Sequence, residues 1–248
     1  MNSSPKPAAD LTLIEHLAEL RRRLIWSLAA IALGCVVSWE WAADLLTVLL
    51  QPVLEVLPPG QGLIFTGLED AFTITLKTSL WAGLMASSPF WLYQLWAFVA
   101  PALYPGEKKR VPALAFLAFL LMLAGAAFAY FLAFPMTFSF FIAFSTEALQ
   151  PLLTLDRYCS LAMGLILAFA LAFQLPLVLM FLGRLGLIDA AWLRRQRRYA
   201  ILSAFIVGAV LTPPDVISQC LLGGALMMLY ELSIWLVSIE SARAGESA

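Results

Sequence analysis

Phe98-Val99-Ala100-Pro101-Ala102-Leu103-Tyr104-Pro105-Gly106-Glu107-Lys108-Lys109-Arg110 separates two long apolar runs, and its reading decides the fold. Two prolines and a glycine keep this stretch from being helical throughout. One carboxylate, Glu107, stands just before three cations. Beyond them no charged residue occurs from Val111 to Thr146, too long for one membrane span of about 20 residues. Pro135 divides that run, predicting a span at about 111–134 and then a short apolar helix packed on the outer face. Glu107 admits two readings: a solvated loop acid partnered by the neighbouring lysines, or a contact for a cationic ligand at the membrane surface.

The composition agrees with a membrane solvent. Of the 248 residues, 62% are hydrophobic and 12% charged, against about 25% charged in soluble domains. The net charge of −1 gives no basic field to attract nucleic acid. Cys35, Cys159 and Cys220 lie in or beside apolar runs at wide spacing, without a CxxC or Cys/His cluster. They read as small buried hydrophobes, and no metal or cofactor is expected. The first 23 residues lack the apolar core of a removable signal peptide.

Working outward, residues 1–11 read as a disordered tail. Thr12 and Glu15 fit a capping box. Leu13, Ile14, Leu17, Leu20 and Leu24 then recur at helical spacing, predicting an amphipathic helix at the interface ahead of the first span. Glu19 can reach Arg22 or Arg23 at i+3 or i+4. Spans are predicted at about 24–41, 72–98, 111–134, 158–182, 199–211 and 216–237. All lie in a single membrane domain, 12–238, with a second tail at 239–248. Residues 40–71 hold five acids, no Lys or Arg, and a Pro58-Pro59-Gly60 turn, and read as an acidic outer loop. Glu147, Asp156 and Arg157 mark another. Gln174, followed by Leu175-Pro176, falls inside the fourth span, where an amide needs a partner; interhelical bonding and a functional role both fit. The fifth run ends at Thr212-Pro213-Pro214-Asp215. Both final helices read as short, and a helix of about 13 residues rises only about 20 Å against a hydrocarbon core of about 30 Å.

Of the 15 Lys and Arg residues, 13 fall in the N-terminus, the second-to-third and fourth-to-fifth connections and the C-terminus. The positive-inside rule then gives an all-α integral membrane protein of six spans with both termini cytoplasmic. Glu19 and Glu107 lie on that same face, where two carboxylates suit a guanidinium better than an ammonium.

Several chemistries are excluded. No G-x-x-x-x-G-K-[ST] is present, so there is no P-loop. His16 is the sole histidine and lies outside any H-E-x-x-H, and there is no G-x-S-x-G. The chain does not read as an enzyme. A proton-coupled small-solute transporter using Gln174 and Glu231 is the alternative, although no repeat or paired broken helices support it.

His16-Leu17-Ala18-Glu19-Leu20-Arg21-Arg22-Arg23 resembles the H-L-x-E-L-R-x-R motif of the TatC family, the multispanning receptor of the twin-arginine protein translocase. Tyr93 to Glu107 is similar to that family's loop between spans two and three. Phe128-Ala129-Tyr130-Phe131 with Phe134-Pro135 is similar to its third-span exit. Leu211-Thr212-Pro213-Pro214-Asp215 with Ser218-Gln219 is similar to its fifth-to-sixth hairpin. The four matches run in order over about residues 12–235. The resemblance implies a glove-like six-helix protein of the bacterial inner membrane, working in an oligomeric complex. It would bind twin-arginine signal peptides of folded cargo and export that cargo with the proton-motive force. It implies that Glu19, Arg21, Phe98 and Glu107 bind the signal. It further implies that Pro52 matters for translocation, and that Leu211, Thr212 and Gln219 dock TatA- and TatB-type single-span partners. Asp215 belongs to the same hairpin. The family often carries a glutamate where this chain has Gln174, so a proton-carrying acid there is not available to this chain.

Overall fold

Long apolar runs punctuated by proline build helices wherever the chain is described. The structure, a computed structural model, describes residues 13–57, 62–67, 69–99, 111–144, 153–212 and 215–246, with 13 and 240–246 in backbone alone. The expected tail at 1–11, the Pro58-Pro59-Gly60 turn, Glu107, Glu147 and Pro213-Pro214 lie outside the described residues. The chain is an all-α membrane protein. Among the described residues the only extended pairing is an isolated parallel bridge between Ile64 and Thr154.

The first helix corrects an expectation. The predicted interfacial helix and first span form one uninterrupted helix, α1 (Leu13–Ser38). Neither Gly nor Pro occurs in it before Gly34, and the Leu/Ala-rich turns favour continuation. The chain then turns by 86° into α2 (Ala42–Leu54), where the sequence reading placed a loop. Leu49, Pro52 and Val53 bury one face of α2, an amphipathic pattern obscured by Asp44 and Glu55.

The second apolar run is also broken, into α3 (Asp70–Ala86) and α4 (Ser88–Val99). Pro89 has no N–H to offer the carbonyl of Met85. Ser88 Oγ donates to that carbonyl instead, at 2.5 Å, and Trp91 Nε1 donates to Leu84 O at 3.1 Å. At the start of α3, ahead of its apolar run, Asp70 accepts from the amides of Thr66 and Gly67, each at 2.8 Å, and from Thr66 Oγ1 at 2.9 Å.

The charge-free run likewise departs from expectation. Helix α5 (Val111–Phe128) passes through a π-helical turn, Ala129–Ala133, into α6 (Phe134–Ile142) without a break. The N–H of Phe134 donates to Ala129 O, five residues back. That wider turn absorbs the register change, so Pro135 falls in the first turn of α6, where proline is tolerated.

Helices α7 (Leu155–Ala172) and α8 (Leu175–Arg184) meet at Phe173-Gln174, followed by short α9 (Ala190–Arg195), α10 (Arg197–Leu211) and α11 (Val216–Glu246). The expectation of two short final helices fits α10, with 15 residues, but not α11, which has 31. Among the described residues three stretches are long and apolar enough to cross a bilayer: Val111–Ile142, Leu155–Arg184 and Val216–Ile239. A fourth is added if the bent pair α1–α2 counts as one span.

Backbones touch where glycines allow it. A Cβ on Gly34 would lie 2.7 Å from Gly83 O, and one on Gly83 would collide with Cys35 N, so α1 and α3 cross in direct contact. A Cβ on Gly125 would lie 2.5 Å from Phe169 O, fixing α5 against α7. The main buried cluster joins α2, α3, α6, α7, α10 and α11 around Phe134, Tyr158 and Phe169.

Candidate functional site: an acidic seat, a clamped helix and a helical hairpin

Helical spacing places Glu19 and Arg23 on the same side of α1, and α4 packs alongside them. Glu19 Oε1 accepts from Arg23 Nε at 2.9 Å and from Arg23 Nη2 at 2.5 Å. The side chains of both residues are only 20% exposed. Arg23 Nη1 continues to Gln94 Oε1 on α4, at 3.1 Å. Phe98, in the last turn of α4, stacks on His16, with ring centroids 4.5 Å apart at 24°. Below this cluster a groove of about 290 Å³ runs between α1 and α4, lined by Leu24, Leu28, Ile31, Leu84, Trp91, Leu95 and Phe98.

Arg21 lies elsewhere. It is exposed on the other side of α1, beside Arg22, Ile25 and Trp26. Phe98 and Arg23, the partner of Glu19, therefore line the same groove, Arg21 does not, and Glu107 lies outside the described residues.

Pro52 is buried in α2 and leaves the carbonyl of Val48 without its helical donor. Tyr130, in the π turn, supplies one: its hydroxyl donates to Val48 O at 2.7 Å. Tyr158 of α7 donates to Leu49 O at 2.6 Å. Two tyrosines thus clamp α2 by its main chain.

The α10–α11 hairpin gathers the remaining candidates. Thr212 is buried, and its Oγ1 donates to Gly208 O at 2.9 Å. Asp215 is 8% exposed and caps α11, accepting from Ser218 N through Oδ1 at 2.6 Å. Ser218 Oγ meets Thr137 Oγ1 of α6 at 2.9 Å, a buried contact. Gln219 Nε2 donates to Phe205 O across the hairpin at 3.2 Å. Leu211 is 40% exposed and, with Gln174, Leu175, Ala204 and Tyr230, lines an apolar cavity of about 420 Å³ between α7–α8 and α10–α11. Gln174 Nε2 donates to Ala118 O of α5 at 2.9 Å, so its amide is bonded between helices.

Glu231 does not stand alone in the span. Its Oε2 accepts from Arg197 Nη2 at 2.7 Å, in a pair about half exposed. The sequence reading did not single out Gln94, Tyr130 or Tyr158 for these contacts. Only the Glu19–Arg23 spacing carried a local signal.

The family model described as Sec-independent protein translocase protein (TatC) matches residues 15–224. The chain belongs to the TatC family. It is 40% identical over 220 residues to the TatC of Desulforapulum autotrophicum, covering 89% of this chain and 82% of that one. To the TatC of Escherichia coli K12 it is 36% identical over 223 residues, covering 90% and 86%. A crystal structure of the twin arginine translocase receptor TatC superposes with a TM-score of 0.82 at 37% identity, over 92% of this chain and 100% of that one. TatC proteins are multi-pass membrane components of a protein translocase, a transport family rather than a class of catalysts. The solute-transporter alternative is not favoured.

Proposed function

We propose that this chain is the signal receptor of its translocase and binds arginine-pair signal peptides at the cytoplasmic face. Glu19 and Glu107 take the guanidinium groups, and Phe98 with the α1–α4 groove takes the apolar part of the signal. One observation carries the reading: Glu19 already receives a guanidinium through two N–H donors of Arg23, which itself lines an apolar groove. A seat that fits one arginine fits another. Arg21, on the opposite side of α1, would act on a ligand only from outside that groove.

Leu211, Thr212 and Gln219 would receive TatA- and TatB-type single-span helices, with the Gln174 cavity beside them as an apolar surface. Pro52 would act through the placing of α2. The complex would export folded cargo with the proton-motive force, both termini of this chain lying in the cytoplasm of the bacterial inner membrane.

The test is photo-crosslinking of the purified protein in membranes to an arginine-pair peptide and its lysine-pair twin. Glu19→Ala and Glu107→Ala should each weaken crosslinking to the arginine form. Equal labelling by both peptides, unaffected by either substitution, would sink the receptor reading.

A further inference from the structure

We propose that Arg23 is a resident stand-in for the ligand's guanidinium, so that Glu19 selects arginine by exchange rather than by filling an empty seat. The inference rests on the receptor reading of Glu19. Arg23 holds Glu19 Oε1 through Nε and Nη2, at 2.9 and 2.5 Å, while its Nη1 reaches Gln94 Oε1 at 3.1 Å. Among the described residues no hydrogen bond is made to Glu19 Oε2. Among those residues no bond at that oxygen has to break for a second guanidinium to approach before the first has left.

Exchange favours a like group. An incoming arginine offers the same planar fork of N–H donors, so the two bonds broken at Arg23 are re-formed by the ligand. An incoming lysine is a point charge that cannot present two coplanar donors, so its exchange ends with one charge-assisted bond fewer. That deficit is a discrimination of about tenfold. Gln94 gives the displaced Arg23 a place to stay: its amide oxygen already accepts from the outer nitrogen, so the cation is not stranded at the groove wall. The low exposure of the pair, 20% on each side, keeps water from substituting for the missing bond.

A plain structural pin between α1 and α4 makes the opposite prediction, because removing a pin loosens the site and weakens binding. The experiment measures binding of labelled arginine-pair and lysine-pair peptides to the full-length protein in nanodiscs, by fluorescence anisotropy. With Arg23→Gln the arginine-pair peptide should bind about tenfold tighter, and the preference for arginine over lysine should shrink by about the same factor. Arg23→Lys keeps a cation beside Gln94 but gives up the fork. It should shift both quantities in the same direction, and it decides the matter if Arg23→Gln does not fold. Unchanged or weaker binding of the arginine peptide by the folded Arg23 variant would overturn the stand-in role. Glu19→Gln separates the two claims. If it weakens arginine binding while neither Arg23 variant tightens it, only the stand-in inference fails. If it leaves both peptides bound as before, the receptor reading fails and the inference falls with it.

Discussion

Tyr130 and Pro52 show at residue scale how one side chain repairs what another removes. The proline deletes the amide that would serve Val48 O, and the tyrosine hydroxyl bonds that carbonyl from 82 residues away. Tyr130→Phe should lower stability by about 0.5–1.5 kcal/mol, the net worth of one hydrogen bond, read as thermal unfolding in detergent. In a Pro52→Ala background the amide returns, and the same substitution should cost much less. Fully additive losses across that cycle would contradict the pairing. None of this is legible locally, because Pro52 advertises a missing bond but nothing nearby says who replaces it. Asp70 gives the pH prediction. The amides of Gly67 and Thr66, and then the Thr66 hydroxyl, hold its carboxyl below the ordinary value. A folded pKa below the unfolded one, about 3.9, means its contribution is complete above that pH. It is lost as pH falls through the lower folded value. Asp70→Asn should flatten the acid side of a melting-temperature profile between neutral pH and pH about 3, and an unaltered acid limb would refute the assignment.

At the scale of elements, helix breaks were partly readable and helix crossings were not. Ser87-Ser88-Pro89 carried a break signal inside an apolar run long enough to mask it, and Pro135 carried one that the π turn cancels. The amphipathic face of α2 was hidden because acids at its ends suggested a loop. Gly34 and Gly83 look like ordinary glycines until α1 and α3 are seen to touch. Gly83→Ala forces main chain against main chain and should cost several kcal/mol, beyond the range of ordinary surface changes. Gly224→Ala in α11, where a Cβ meets open space, should be neutral or stabilise by about 0.5–1 kcal/mol. Similar melting temperatures for the two variants would argue against the crossing.

For the whole molecule, the distribution of cations along the sequence predicted a multispanning chain, and the family comparison agrees with that class. The site was legible in part: Phe98 lines the groove and Glu19 is joined to it through Arg23, Arg21 faces away from it, and Gln94 had no local mark. Helix α10, with 15 residues, rises about 22 Å, short of a hydrocarbon core of about 30 Å. If it crosses the bilayer, lipid must thin around it. Inserting one helical turn into α10 should then reduce export of an arginine-pair cargo in a vesicle assay, whereas full export by the lengthened protein would count against thinning. The tyrosine clamp on α2 has a different kind of reach. Tyr130 and Tyr158 grip carbonyl oxygens, which every amino acid possesses, so these bonds do not depend on which side chain occupies position 48, whereas Leu49 is held by the core. Over evolutionary time the outward face of α2 is free to be rewritten for new neighbours without its mooring being renegotiated.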